Sequence, residues 1–460
     1  MLILVPFILG ANALSIPSSH VSTKDGACSS PGDGYHCFEE YSRRWGEYSP
    51  YFSVKDVSSY PVDIPSECEV TFAQVLSRHG ARYPTAHKGK TYADLIERIQ
   101  NQTARYGSDF HFIESFEYSL NTDSLVEFGK EQLFESGVSF YERYANLSRT
   151  NVPFVRSSWT PRVIESAEHF MRGFSESRKQ ANGEPVNKTA VDVVMYDGTG
   201  FNSSLNLGAC PAFEKESKIQ PWHQGFMEKH FSKTLQRVKK NLPGAQLDVK
   251  DIIYLMDLCS FHTVSATPDA TFLSPFCPLF TEEEWEAYDY FSTLRKYYKF
   301  GKGNELAPPN GIAFVNELIA RLTNQPVHDH SSINRTLDSD PKTFPLGLPL
   351  YADFSHDNEM APIYAAMGIA GPILNKKSIF QPEDVSYFTS SRLIPFAARM
   401  YVEKLECGSE KEEYVRVLIN DRVMPVEGCA ADHLGRCKLS DFVNGMTYAS
   451  SGYAWKLCYE

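Results

Sequence analysis

A chain of 460 residues is too long for one simple core and too short for many domains, so it reads as two domains or as one domain carrying a large insertion. Its 42% hydrophobic and 22% charged residues are ordinary for a globular protein. A formal net charge of -12 argues against nucleic acid as the main partner, because a phosphate backbone calls for broad basic surface. It leaves room for a local basic pocket and a small anionic ligand.

Residues 1–13 are almost wholly apolar and end in Ala11-Asn12-Ala13, a small-x-small pattern expected of a cleaved signal peptide. No later stretch is long enough to span a bilayer, so no membrane partner is expected. Residues 14–60, rich in Ser, Pro, Gly and Tyr, read as an irregular N-terminal arm. Then one pattern occurs three times. Val70 to Leu76 reads as a strand, Arg78-His79-Gly80 follows, and Tyr92, Leu95, Ile96 and Ile99 mark one face of a helix. Val152 to Val155 leads into Arg156-Ser157-Ser158, then a helix with Val163, Ala167, Phe170 and Phe174 on one side. Leu350 to Phe354 leads into Ser355-His356-Asp357, then a helix with Met360, Ile363, Tyr364 and Met367. Polar residues at the junction of strand and helix are where open α/β sheets hold ligands, so positions near 78, 156 and 356 are expected to converge. Residues from about 215 to 300 read as mostly helical, and Tyr414 to Val426 as a hairpin turning at Asn420-Asp421. The expected organisation is an α/β core over 61–155 and 290–460, with a smaller, mostly helical second domain or insertion over 156–289.

The chemistry concentrates in Arg78-His79-Gly80-Ala81-Arg82-Tyr83-Pro84. Arginine forks match phosphoryl oxygens, glycine lets backbone approach, and a neutral imidazole is a competent nucleophile. A lone Arg-His pair would be a solvated surface turn; the seven-residue string at a strand end is read as a site. Nothing competes with it. There is no Gly-x-Ser-x-Gly elbow, no Walker loop and no His-Glu-x-x-His. Val327-His328-Asp329-His330 is read as a polar loop rather than a metal site. Ten widely spaced cysteines without a Cys-x-x-Cys pair read as disulfides. Glycosylation sequons lie at Asn101, Asn146, Asn187, Asn202 and Asn334. With the leader, these features point to a secreted, extracellular protein.

Arg78 to Pro84 resembles the signature of the histidine acid phosphatases, and Ser355-His356-Asp357-Asn358 resembles that family's second motif. Tyr351 to Asn358, Tyr254 to Asp257 with Cys259-Ser260-Phe261, and Asn316 to Leu322 are similar to fungal secreted phytases in particular. The resemblance runs from about Cys28 to Cys458. It implies a phosphoglycerate-mutase-like α/β fold with a largely parallel sheet flanked by helices. It also implies a phosphomonoesterase that releases orthophosphate from phytate, with neither cofactor nor metal and no obligate protein partner. His79 would form a phosphohistidine, and Asp357 would protonate the leaving alkoxide and then help activate water. Arg78, Arg82, Arg156 and His356 would bind the phosphoryl oxygens. The implied disulfides pair Cys28 with Cys37, Cys68 with Cys407, Cys210 with Cys458, Cys259 with Cys277, and Cys429 with Cys437.

Phytate carries six phosphates, so further cations are expected around the centre. Lys88, Arg295 and Lys296 match substrate-contacting positions of fungal phytases, with arginine in place of one lysine. Thr91 stands where some relatives have a lysine, His262 where some have aspartate, and Glu359 where glycine is common. The alternatives are a broad acid phosphatase and an inactive secreted binding homologue. An acidic optimum is expected, since surrounding arginines lower the pKa of His79 and keep it nucleophilic below neutral pH.

Overall fold

The computed structural model describes residues 28–183, 185–186, 190–196, 201–215, 222–369 and 389–460. The expected signal peptide, residues 14–27 of the expected arm and the sequon at Asn187 lie outside the described residues.

Eight strands form one sheet: β1 Cys68–Arg78, β2 Phe154–Ser158, β3 Val193–Met195, β4 Leu350–Ser355, β5 Arg399–Cys407, β6 Glu412–Ile419, β7 Arg422–Val423 and β8 Cys437–Lys438. Their order is β8-β6-β5-β1-β4-β2-β3, with β7 paired to β6. β1, β4, β2 and β3 run parallel. β5, β6, β7 and β8 join antiparallel. The parallel part of the sheet, which the resemblance implied would be most of it, is thus the half that carries the three motifs. The other half joins by antiparallel pairs, β5–β6 and β6–β7 being hairpins, which need no crossover helix. One of them turns at Asn420 and Asp421, both at positive φ (46° and 70°), in the left-handed region that Asn and Asp tolerate best.

The helices follow the apolar spacing. In α1 (Ala86–Gln102) the faces of Tyr92, Leu95, Ile96 and Ile99 are buried. α2 (Glu127–Arg143) packs on α3 (Pro161–Asn182), which buries Val163, Ala167, Phe170 and Phe174. Each buried Val, Leu, Ile or Phe among them contributes roughly 1.5–3 kcal/mol on leaving water. α4 (Trp222–Asn241), α5 (Val249–Ala266) and α6 (Glu282–Phe300) account for most of the region expected to be helical. α5 and α6 start with capping boxes, Asp248 with Asp251 and Thr281 with Glu284, which satisfy backbone N–H groups at both N-termini. α7 (Ile312–Thr323) and α8 (Asp357–Ala366) complete the long helices used below. Within the stretch 156–289, α3 flanks the sheet and β3 is its edge strand, so helices outside the sheet begin later in the chain than residue 156.

Five disulfides join Cys28–Cys37, Cys68–Cys407, Cys210–Cys458, Cys259–Cys277 and Cys429–Cys437. Cys68 and Cys407 face each other across the antiparallel β1–β5 pair. Asn101, Asn146 and Asn202 are exposed, while Asn334 is half-buried and caps a short helix by accepting from the Leu337 N–H. No helix among the described residues is long and apolar enough to cross a membrane.

Candidate active site

The parallel strands β1, β4 and β2 are neighbours, so the residues leaving their carboxyl ends meet. The His79 N–H donates to the Ser355 carbonyl at 3.1 Å and extends the ladder by one bond. The loop is then gripped from two helices. The Gly80 N–H donates to Ser166 Oγ of α3 at 3.2 Å, and the Ala81 N–H to Gln132 Oε1 of α2 at 2.9 Å. Two glycines permit this approach. A Cβ on Gly80 would stand 2.1 Å from the Gly129 carbonyl oxygen, and one on Gly129 would stand 1.9 Å from that of Ala81.

His79 is 1% exposed. Its Nδ1 lies 2.8 Å from the Gly80 carbonyl oxygen, an acceptor only, so Nδ1 carries the hydrogen and Nε2 keeps the lone pair. Burial, then Arg78, Arg162, His356 and Arg82, hold the imidazole well below its ordinary pKa of 6.5. His356 caps α8 and shares a 3.1 Å hydrogen bond between Nε2 and Thr160 Oγ1. Burial and then Arg162 push it down to about 3. Its ring centroid is 5.3 Å from that of His79.

The cations are held in place. Arg78 donates to the carbonyls of Glu47 and, at 2.7 Å, Ile394, and lies 3.2 Å from Asp357 Oδ1. Its guanidinium stands 4.6 Å from the Phe396 ring centre. Arg82 donates to the Tyr83 carbonyl at 2.8 Å. Arg162, in the first turn of α3, is pushed down to about 10 by burial and by Arg82. Asp357 opens α8. Burial alone would raise its pKa, but Arg78 and Lys296 outweigh burial and hold it well below the usual carboxylate range. Lys296 Nζ bonds both the Asp357 carboxylate and, at 2.8 Å, Asn358 Oδ1. Behind Asp357, burial and the Asp357 charge push Glu359 up to about 8.

Six of the residues singled out from the sequence therefore surround one point: Arg78, His79, Arg82, His356, Asp357 and Lys296. Arg156 does not join them. Its register partner in the parallel β2–β4 pair is Asp353, and its guanidinium bonds Asp353 Oδ1 and Glu317 Oε2, both at 2.7 Å. The arginine that bears on both histidines from that strand–turn–helix unit is Arg162. It went unnoticed because it sits inside the helix pattern, though Thr160-Pro161 before it marks a helix N-terminus, which favours anions. Lys88 donates to Asp257 Oδ2 at 2.7 Å, and Arg295 to Glu47 Oε1 at 2.6 Å, so both are partly exposed members of ion pairs. Glu47, in the arm, was also missed. Burial would raise its pKa, but Arg295 and Lys296 pull it to about 2. His262 lies against Ser274, Phe116 and Phe272, and among the described residues no hydrogen bond, ion pair or ring contact joins it to the catalytic groups. Among the described residues no group of three His, Cys, Asp or Glu side chains is placed to hold a metal ion, the His328–His330 loop included.

A neutral imidazole ringed by cations, with a carboxylate beside it, is suited to a tetrahedral dianion: the cations neutralise its oxygens and the lone pair faces its centre. A family model described as "Histidine phosphatase superfamily (branch 2)" matches residues 69–420. Phytase A of Aspergillus oryzae is 47% identical over 444 residues, 95% of each chain, and Phytase A of Emericella nidulans 46% identical over 435, 94% of each. The crystal structure of a phytase from D. castellii superposes with a TM-score of 0.73 at 22% identity, covering 91% of this chain and 88% of that one. At that identity the last likeness speaks for the fold.

Proposed function

The chain belongs to the histidine phosphatase superfamily, branch 2, and from that premise we propose that it is a secreted phosphomonoesterase that hydrolyses phytate, myo-inositol hexakisphosphate, through a phosphohistidine on His79. The observation that carries the reading is the buried, uncharged His79 imidazole, with its lone pair on Nε2, inside a ring of Arg78, Arg82 and Arg162. Nε2 attacks phosphorus, the ester P–O bond breaks, and the proton of Asp357 goes to the leaving alkoxide. Water then attacks the phosphohistidine, its proton passes to Asp357, and the Nε2–P bond breaks to release orthophosphate. Asp357 is a carboxylate while Arg78 and Lys296 face it alone. A bound phosphoryl group engages those cations and brings its own negative charge, which raises the Asp357 pKa toward the acidic working range.

Lys88 and Arg295, partly exposed at the rim, would meet the remaining phosphates of the ring, giving up carboxylate partners for phosphate oxygens. The disulfides and the exposed sequons at Asn101, Asn146 and Asn202 support an extracellular setting. The test is phosphate release from phytate and from p-nitrophenyl phosphate in mildly acidic buffer, by wild type and His79→Ala. Preference for phytate, lost with the mutation on both substrates, is the expected result. Strong preference for the aryl ester would make the chain a broad acid phosphatase. Near-normal activity of the mutant would remove His79 from the mechanism.

A further inference from the structure

His356 and Thr160 are the N-caps of α8 and α3, two helices that converge on the catalytic pocket. An N-cap side chain ordinarily accepts from the first N–H groups of its own helix. Neither side chain does so here. They bond each other instead, His356 Nε2 to Thr160 Oγ1 at 3.1 Å, and so join two strand–turn–helix units beside the nucleophile. The His356 and His79 rings stand edge to face, their centres 5.3 Å apart and their planes at 75°.

The Thr160 hydroxyl bears on what His356 can do. Burial and then Arg162 keep the His356 imidazole uncharged, so only one of its nitrogens carries a hydrogen. With Nε2 tied to Thr160, Nδ1 is the nitrogen left for a phosphoryl oxygen, and among the described residues it has no hydrogen-bond partner. Phosphoryl oxygens accept, so Nδ1 serves there only as an N–H. Nε2 then holds the lone pair and takes a hydrogen from its neighbour. A hydroxyl can give one. A carboxylate or carbonyl in its place would force the hydrogen onto Nε2 and turn a lone pair toward the anion. The Gly80 carbonyl plays the converse part for His79, holding the hydrogen on Nδ1 and baring Nε2 for attack. The two rings thus share one tautomer and present opposite ends of it to the phosphoryl group.

We infer that Thr160 is a positioning residue: its hydroxyl donates to His356 Nε2, fixes the ring as the Nδ1–H tautomer, and so lets an uncharged histidine donate to a phosphoryl oxygen. The inference rests on the phosphatase reading of the site but not on phytate being the preferred substrate. Its test uses Thr160→Val, which keeps the branched shape without the hydroxyl, and Thr160→Ser, which keeps the hydroxyl. Thr160→Val should lower kcat/KM about tenfold on phytate and on p-nitrophenyl phosphate alike, the loss of one hydrogen bond. Thr160→Ser should hold most of the wild-type value. In a His356→Ala background Thr160→Val should change nothing further, because the hydroxyl acts through the ring. Equal losses in the two backgrounds would make Thr160 a merely structural residue and overturn the inference. So would a Thr160→Ser as poor as Thr160→Val. The tautomer is read by nitrogen NMR of isotope-labelled histidine at neutral pH with saturating inorganic phosphate, the His356 signals being those that His356→Ala removes. Wild type should carry the hydrogen on Nδ1, and Thr160→Val should lose that preference. A wild-type hydrogen on Nε2 would overturn the inference whatever the kinetics show. If wild type hydrolyses neither ester, the phosphatase reading falls, and the tautomer with phosphate bound still decides this one.

Discussion

Two clusters of buried charge are built on the same neighbouring strands, and they differ in balance. In the first, Arg156 of β2 and Arg321 of α7 close on Asp353 of β4 and Glu317 of α7, and Ser204 Oγ donates to Glu317 at 2.7 Å. Asp338 beside them is pushed up to about 8 by burial and by Glu317, so it adds no charge at neutral pH. In the second, Arg78, Arg82, Arg162 and Lys296 crowd around Asp357 and two histidines that burial keeps neutral. Positive charge is in excess there, and only an incoming anion can complete it. A buried arginine with its carboxylates present therefore reports strand register. A buried arginine without enough of them reports a ligand.

Asp353 and Asp357 give the sharpest contrast. They stand four residues apart, both buried and both held ionised by arginine. Asp357→Asn should lower kcat on phytate by roughly 10²–10⁴-fold, because an alkoxide leaves poorly without an acid. The loss on p-nitrophenyl phosphate should be far smaller, since its leaving group needs no proton. Asp353→Asn should change stability instead, seen in urea unfolding. Equal losses of turnover in the two variants would break the comparison.

The arginines come next. Arg156→Met strips Asp353 and Glu317 of a partner and should cost about 3 kcal/mol of stability or more, with the folded enzyme still active. Arg162→Met relieves an excess of like charge, so its melting temperature should hold. Its kcat/KM should fall by roughly 10²-fold for every phosphomonoester. The opposite assignment of effects would return Arg156 to the phosphate site.

These two arginines also show where a sequence is legible. The three strand–turn–helix units could be read because strand ends and helix faces are local patterns, and β1 and β4 with α1, α3 and α8 stand where those patterns place them, whereas β2 runs on through Arg156-Ser157-Ser158, which were read as the junction after it. Which arginine of Arg156-Ser157-Ser158-Trp159-Thr160-Pro161-Arg162 faces the phosphate is not local. It depends on the β2–β4 register, which sets Arg156 opposite Asp353. Glu47 was illegible for the same reason, since its partners Ser292, Arg295 and Lys296 lie some 245 residues away in the chain. The antiparallel half of the sheet was only partly read, through the hairpin at Asn420-Asp421, because pairing across 339 residues, as between Cys68 and Cys407, leaves no short-range mark.

The smallest effect separates the clusters by pH. His356 titrates at about 3 in the folded protein against an ordinary 6.5, so between those values the unfolded chain binds a proton that the folded chain does not. The His356 contribution to stability must then fall as pH drops below 6.5, and at pH 5 this group alone costs about 2 kcal/mol. Asp353 behaves differently. Its folded pKa lies below 3.8, so the stability it contributes is present above that value and is lost only as pH falls through the folded pKa. Asp353 itself is therefore flat over the window in which His356 is penalised. His356→Asn should raise the unfolding free energy at pH 5 relative to that at neutral pH by about 2 kcal/mol compared with wild type, whatever it does to absolute stability. Saturating inorganic phosphate should flatten the wild-type curve in the same direction, because an anion among those cations makes a protonated histidine tolerable. A wild-type curve that phosphate leaves unchanged in shape would mean that the excess positive charge is not what receives the phosphoryl group.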